Sequence, residues 1–204
     1  MLRERFPGAC RPLPVAEPAG TGKGTAGEEG IRIEPGKIVE VVAARPGCGG
    51  ALWIGEVLRQ LAREQRVLGL IDGRDSFDPD SHGAAACRSL FWVRCRDAGE
   101  AVQAADWLLR DGNLPELVLD LQLNPERELR ELPPGIWRRF RTLAERSGAG
   151  MAVLTAGRRV DGACRRFRLE GQYRSGDWDE ERARLAGSRS PWRESSAEGG
   201  RCGG

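Results

Sequence analysis

A length of 204 residues and a mass of 22.3 kDa bound this chain at one domain with flexible ends. Thirty-two Lys and Arg against 30 Asp and Glu leave a net charge of +2, so charge balance alone gives no footprint for nucleic acid. No stretch is apolar enough to span a membrane and residues 1–5 lead into a polar, proline-rich segment, so a cytoplasmic protein with no membrane partner is expected.

Residues 1–29, rich in Pro, Gly, Ala and Glu without periodicity, are predicted to form an irregular arm. Inside it, Gly20-Thr21-Gly22-Lys23-Gly24-Thr25 imitates a phosphate loop but fails on spacing, because Gly24 stands where Ser or Thr is needed and no strand precedes it. Ile31-Arg32-Ile33 is predicted as a short edge strand and Pro35-Gly36 as a turn. The near-continuous apolar run 38–43 suits a strand buried on both faces. Trp53, Ile54, Val57, Leu58 and Leu61 then recur at helical spacing, predicting a helix over 51–63. Residues 66–72 read as a second core strand, 81–88 as a short helix and 90–93 as a third strand. An amphipathic helix is predicted over 98–110, a fourth strand over 117–120, a third long helix over 136–145 and a fifth strand over 150–155. Residues 164–173 are expected to add one or two antiparallel edge strands with Phe167 and Leu169 facing inward. From 174 to 204, Gly, Ser, Arg, Glu and Asp predict a disordered tail, in which Trp178 and Trp192 are candidates for a partner-binding motif.

Alternating strands and helices predict an α/β fold, a mainly parallel sheet covered on both faces. Its crevice would lie at the carboxyl ends of the strands, gathering the 47–50 turn, the 72–78 loop and Asp120. The segment 36–52 is the center of this arrangement: an apolar strand, a turn with Gly47, Gly49 and Gly50, and the start of a helix. That is the local architecture of a phosphate-binding loop. In the working pattern G-x-x-x-x-G-K-[ST], however, the lysine position holds Gly50 and the hydroxyl position Ala51. The cation for the β- and γ-phosphates and the magnesium-ligating hydroxyl are both absent. The six cysteines include no C-x-x-C pair and His82 is the only histidine, so no metal site is expected.

Residues 36–173 together resemble the core of the RecA recombinase superfamily. Gly36-Lys37-Ile38-Val39-Glu40-Val41 is similar to that family's first core strand. Ile71-Asp72-Gly73-Arg74-Asp75-Ser76-Phe77-Asp78-Pro79 resembles its "D-A-E-x-x-x-D-P" segment, Leu117-Val118-Leu119-Asp120 its Walker B strand, and 150–155 the strand before its second DNA-binding loop. The order of the four pieces carries the resemblance, which implies a RecA-like P-loop domain over 30–173 with antiparallel strands at its C-terminal edge. On this alignment the family's catalytic glutamate falls at Arg74, and a guanidinium cannot activate water as a base. The resemblance thus implies a pseudo-ATPase with no cofactor, ATP and magnesium entering only if the degenerate site is kept for binding. Asp120 is expected to cap a loop or to pair with Arg45 or Arg74, and Arg74 to fill part of the emptied pocket beside Asp72.

The reduced second loop and the helix Ile136-Trp137-Arg138-Arg139-Phe140 resemble the ImuA group, also called SulA-like or RecA-like. Its members are associated with the SOS response and DNA-damage-induced translesion synthesis, beside a Y-family polymerase relative. What this implies is an accessory protein in DNA repair that binds a protein partner and contacts DNA weakly. The candidate contacts are Arg138, Arg139, Arg158, Arg159, Arg165 and Arg166. A DNA-dependent ATPase and a SulA-like cell-division inhibitor are the alternatives.

Overall fold

The computed structural model describes residues 31–45, 47–171 and 192–195. Seven strands form one sheet: β1 (Ile38–Val42), β2 (Leu68–Asp72), β3 (Leu90–Arg94), β4 (Glu116–Asp120), β5 (Gly150–Thr155), β6 (Arg165–Leu169) and β7 (Trp192–Ser195). Their order is β3-β2-β4-β5-β1-β6-β7. All neighbors pair in parallel except β6 and β7, so the fold is α/β with one antiparallel edge pair. The helices are α1 (Gly50–Arg63), α2 (Ala84–Cys87), α3 (Ala98–Asp111), α4 (Glu126–Arg130) and α5 (Ile136–Ser147), with a 3-10 turn at Pro79–Ser81. All of these elements lie in the compact unit that begins at Ile33.

The chain reverses its direction of travel across the sheet. From β1 it moves through α1 and β2 toward the β3 edge; from β3 it moves back through β4 and β5. Right-handed crossovers then put α1 and α2 on one face and α3 to α5 on the other. Side-chain alternation agrees: Ile38, Ile71, Leu117, Leu119, Met151 and Val153 pack with Ala101, Ala105, Phe140 and Ala144 of α3 and α5. Val39, Val41, Leu68, Leu70, Val118 and Leu154 are buried on the opposite face, where α1 supplies its buried Trp53, Leu58 and Leu61.

The structure corrects several sequence expectations. Residues 31–33 form no strand. β6 runs parallel to β1, not antiparallel, with Glu40 opposite Arg166. The antiparallel edge strand is β7, which lies within the segment predicted to be disordered. Trp192 explains that strand: its ring meets Phe167 edge-on at 5.3 Å, and Glu194 accepts from Arg165 Nε at 2.8 Å and from its terminal nitrogen at 3.0 Å. The short α4 had no counterpart among the predicted helices. The predicted arm 1–29 and Trp178 lie outside the described residues.

The parallel turn from β5 to β6 is made by residues 156–164, without a helix among them. Buried peptide groups in such a loop need partners. Glu40, fully buried on β1, provides them: its Oε1 accepts from the backbone N–H of Arg159 at 2.6 Å and of Val160 at 3.0 Å, and from Thr155 Oγ1 at 3.3 Å. Its other oxygen accepts from Arg166 Nε at 2.5 Å, and Arg166 also donates to the Val160 carbonyl at 3.1 Å. Removing one partner of such a pair strands a buried charge. Arg166→Met is therefore expected to cost about 3–5 kcal/mol in urea unfolding, with the Glu40→Gln/Arg166→Met double variant losing less than the sum of the singles. A loss under about 0.5 kcal/mol for Arg166→Met would show that the pair does not hold the loop.

Candidate functional site

The strand–turn–helix unit sits at the carboxyl end of β1, as its residues predict. Gly47 and Gly49 adopt positive φ values of 75° and 109°, which an L side chain rarely takes, and Gly49 is the N-cap of α1. Cys48 N–H closes the turn on the Arg45 carbonyl at 3.3 Å, and the Cys48 carbonyl accepts from Gly171 N–H at 3.1 Å. Gly50 meets a flexible side chain instead. A Cβ there would fall 2.1 Å from Gln122 Oε1, so the Gln122 side chain lies where a longer residue at position 50 would begin.

Gln122 ties this turn to β4. Its backbone N–H donates to Asp120 Oδ1 at 2.9 Å. Asp120 thus caps its own loop; among the described residues neither Arg45, which is exposed, nor Arg74 pairs with it. Asp120 stands opposite Asp72 on the neighboring strand. Burial, opposed by the Gln122 N–H and reinforced by the Asp72 charge, pushes the Asp120 carboxyl from 3.8 up to about 7. Asp72 is buried and its oxygens are occupied: Oδ1 accepts from Arg74 N–H and Ser76 Oγ, each at 3.3 Å, and Oδ2 from Phe77 N–H at 2.7 Å. This carboxylate folds the 73–77 loop back on the end of β2. Phe77 then stacks on His82 at 4.9 Å and meets Trp92 edge-on at 5.5 Å.

Arg74 does not enter a pocket at the strand ends. It reaches the Arg96 carbonyl at 3.2 Å and Glu128 Oε1 at 3.3 Å. Glu128 Oε2 accepts from Ala98 N–H, in the first turn of α3, at 3.1 Å and from Asn124 Nδ2 at 3.0 Å. Asn124 also donates to the Gly73 carbonyl at 2.8 Å. Arg74, Asn124 and Glu128 therefore stitch the ends of β2 and β4 to α3 and α4.

Of the six arginines put forward for phosphate or partner contact, four are committed to carboxylates within the fold. Arg166 is buried on Glu40, Arg159 pairs with Glu126, and Arg165 bridges Glu34 and Glu194. Arg158 is exposed on the same loop. Arg139 forks onto Asp106 of α3 at 2.5 and 3.3 Å, while Arg138 is exposed. Burial, with Glu100, Asp72 and Asp97 nearby, pushes the Cys95 thiol up to about 11, so Cys95 is not an activated nucleophile. Among the described residues no cluster of His, Cys, Asp and Glu is placed to hold a metal, and no helix is long and apolar enough to cross a membrane.

Sequence reasoning found the turn, Asp72 and Asp120 but missed Gln122, which caps Asp120, the Asn124–Glu128 pair that receives Arg74, and Glu40, which holds the 156–164 loop. The one available signal was Gln122, two residues past the β4 carboxylate. No protein-family model matches this chain, and no curated protein sequence matches it.

A raised carboxyl pKa means that the folded protein holds a proton the unfolded chain releases, so Asp120 costs stability as pH rises from about 4 to about 7. Asp120→Asn keeps an acceptor for Gln122 N–H and removes the titration. The variant is expected to match the parent near pH 4 and to exceed it at pH 8 by on the order of 2–4 kcal/mol in urea unfolding; equal pH profiles would refute the shift. Arg74→Ala is expected to cost no more than about 1 kcal/mol, its ion pair being exposed. Glu128→Ala should cost more, about 1–3 kcal/mol, because it leaves Ala98 N–H unpaired and removes one of the two bonds from Asn124 Nδ2.

Proposed function

We propose that this chain is a non-hydrolysing accessory protein on a RecA-like P-loop scaffold, serving DNA repair of the SOS-type translesion kind. It acts by binding a protein partner, of Y-family polymerase type by resemblance, with weak DNA contact alongside. The observation that carries the reading is the packing of Gln122 against Gly50. Where a phosphate loop presents a cation to its ligand, this turn presents a neutral amide, with one carboxyl pushed up to about 7 and a second fully hydrogen-bonded behind it. These residues do not fit a magnesium-bound triphosphate, whose charge needs cationic neutralization and an anionic metal ligand. Arg74, at the position of the family's water-activating glutamate, serves Glu128 instead.

Two measurements test the reading. Phosphate release from ATP with magnesium and single-stranded DNA is expected to equal that of an Asp120→Ala control; release above the control, abolished by that substitution, would establish the ATPase alternative. Affinity capture from DNA-damaged cells is expected to recover a Y-family polymerase relative, whereas recovery of a filament-forming division GTPase would favor the inhibitor.

A further inference from the structure

A groove of about 600 Å³ runs between α3 and α5, lined by Arg110, Arg138, Arg139 and Arg146 with Thr142 and Leu143. Asp106 engages two of the guanidiniums, Arg139 at 2.5 Å and Arg110 at 2.8 Å. Arg138 and Arg146 are exposed and have no ion-pair partner among the described residues. Four arginines less Asp106 leave three net positive charges in the groove, more than the +2 of the whole chain. Arg138, Thr142 and Arg146 recur every fourth residue, so the two unpaired arginines leave one side of α5 from backbone positions about 12 Å apart along its axis. Outside the lining of the groove but next to Arg110, three residues earlier on α3, Trp107 is 61% exposed.

A basic stripe flanked by an open aromatic ring is the pairing that single-stranded nucleic acid requires: guanidiniums track the backbone while a base stacks on the ring. An acidic peptide would use the charges and leave the indole face without a role. A duplex keeps its base faces stacked and out of reach. We infer that the α3–α5 groove binds single-stranded nucleic acid without sequence preference, Arg138, Arg146 and Arg110 contacting phosphates and Trp107 a base. The inference rests on the accessory reading for its biological setting and gives the weak DNA contact of that reading a location away from the 156–164 loop. Three phosphate contacts on a single strand correspond to a log–log salt slope of about −2.

The test is fluorescence anisotropy of labeled oligothymidylate with the full chain between about 50 and about 200 mM salt. Arg138→Glu/Arg146→Glu is expected to weaken binding about tenfold or more and to flatten the slope. Arg63→Glu/Arg88→Glu makes the same charge change at exposed sites on α1 and just past α2, and is expected to stay within about twofold. Trp107→Ala should lose about fivefold or more with the slope unchanged, since stacking releases no counterions. Equal losses from the two reversal pairs, or no loss from any variant with unfolding midpoints intact, would overturn the assignment. So would competition by oligoglutamate as strong as that by oligothymidylate together with full binding by Trp107→Ala, which would mark the groove as a site for an acidic protein. Phosphate release above the Asp120→Ala control would sink the accessory reading while leaving these binding results standing.

Discussion

The carboxylate of Glu40, with no solvent exposure on the strand between β5 and β6, sets the C-terminal half of the sheet. A parallel crossover ordinarily uses a dozen or more residues and a helix, which satisfies its own peptide groups. Here residues 156–164 make the crossing alone and bring bare backbone N–H groups over the α3–α5 face. Leaving such donors unmet would cost about 1–3 kcal/mol each. Glu40 meets two of them, and Arg166 on the adjacent strand neutralizes the charge that does so. The edge pair follows from this, because β6 in place gives β7 its register and gives Phe167 its contact with Trp192.

Asp72 performs the same service in the other half. A buried carboxylate at the end of β2 accepts from the loop that leaves it, as Glu40 accepts from the loop that crosses above β1. Together with the Asp120–Gln122 contact and the Arg74–Glu128–Asn124 network, these bonds engage several of the polar groups at the carboxyl edge of the sheet, while the buried Asn124 Oδ1 has no hydrogen-bond partner among the described residues. In a doubly wound sheet that edge is where a ligand ordinarily finds its partners. Here much of that hydrogen-bonding capacity is spent within the fold, on the loops that leave β2 and β4.

How much of this was legible in the sequence depended on the range of the forces involved. The strands at 38–42 and 150–155 and the helices at 50–63, 98–111 and 136–147 are announced by local periodicity, and their bounds moved by only a residue or two. The glycine turn was equally local. The direction of β6 was not, because it is decided by a carboxylate and a guanidinium 126 residues apart in sequence. β7 hid in a polar, glycine-rich tail because its support, Arg165 and Phe167, lies across the sheet. Arg74 was misread for the same reason: its charge suggested the nearest acidic pocket, whereas its partner Glu128 lies 54 residues on, in a helix too short to show periodicity.

Arginine is the residue whose count said least. The near-cancellation of charge over the whole chain hides a sorting by geometry, in which Arg74, Arg94, Arg96, Arg159, Arg165 and Arg166 are each bound to a carboxylate of the fold. A guanidinium already paired adds little field beyond its partner, so only the remainder can attract an anion at a distance. On α5 that remainder lines up because Arg138 and Arg146 fall eight residues apart, about two turns, on a helix whose opposite face, through Ile136, Phe140 and Ala144, is occupied by the core. The apolar spacing that buries one side of α5 necessarily presents the other side as a stripe, so the position of the basic surface is a consequence of core packing and not of overall charge.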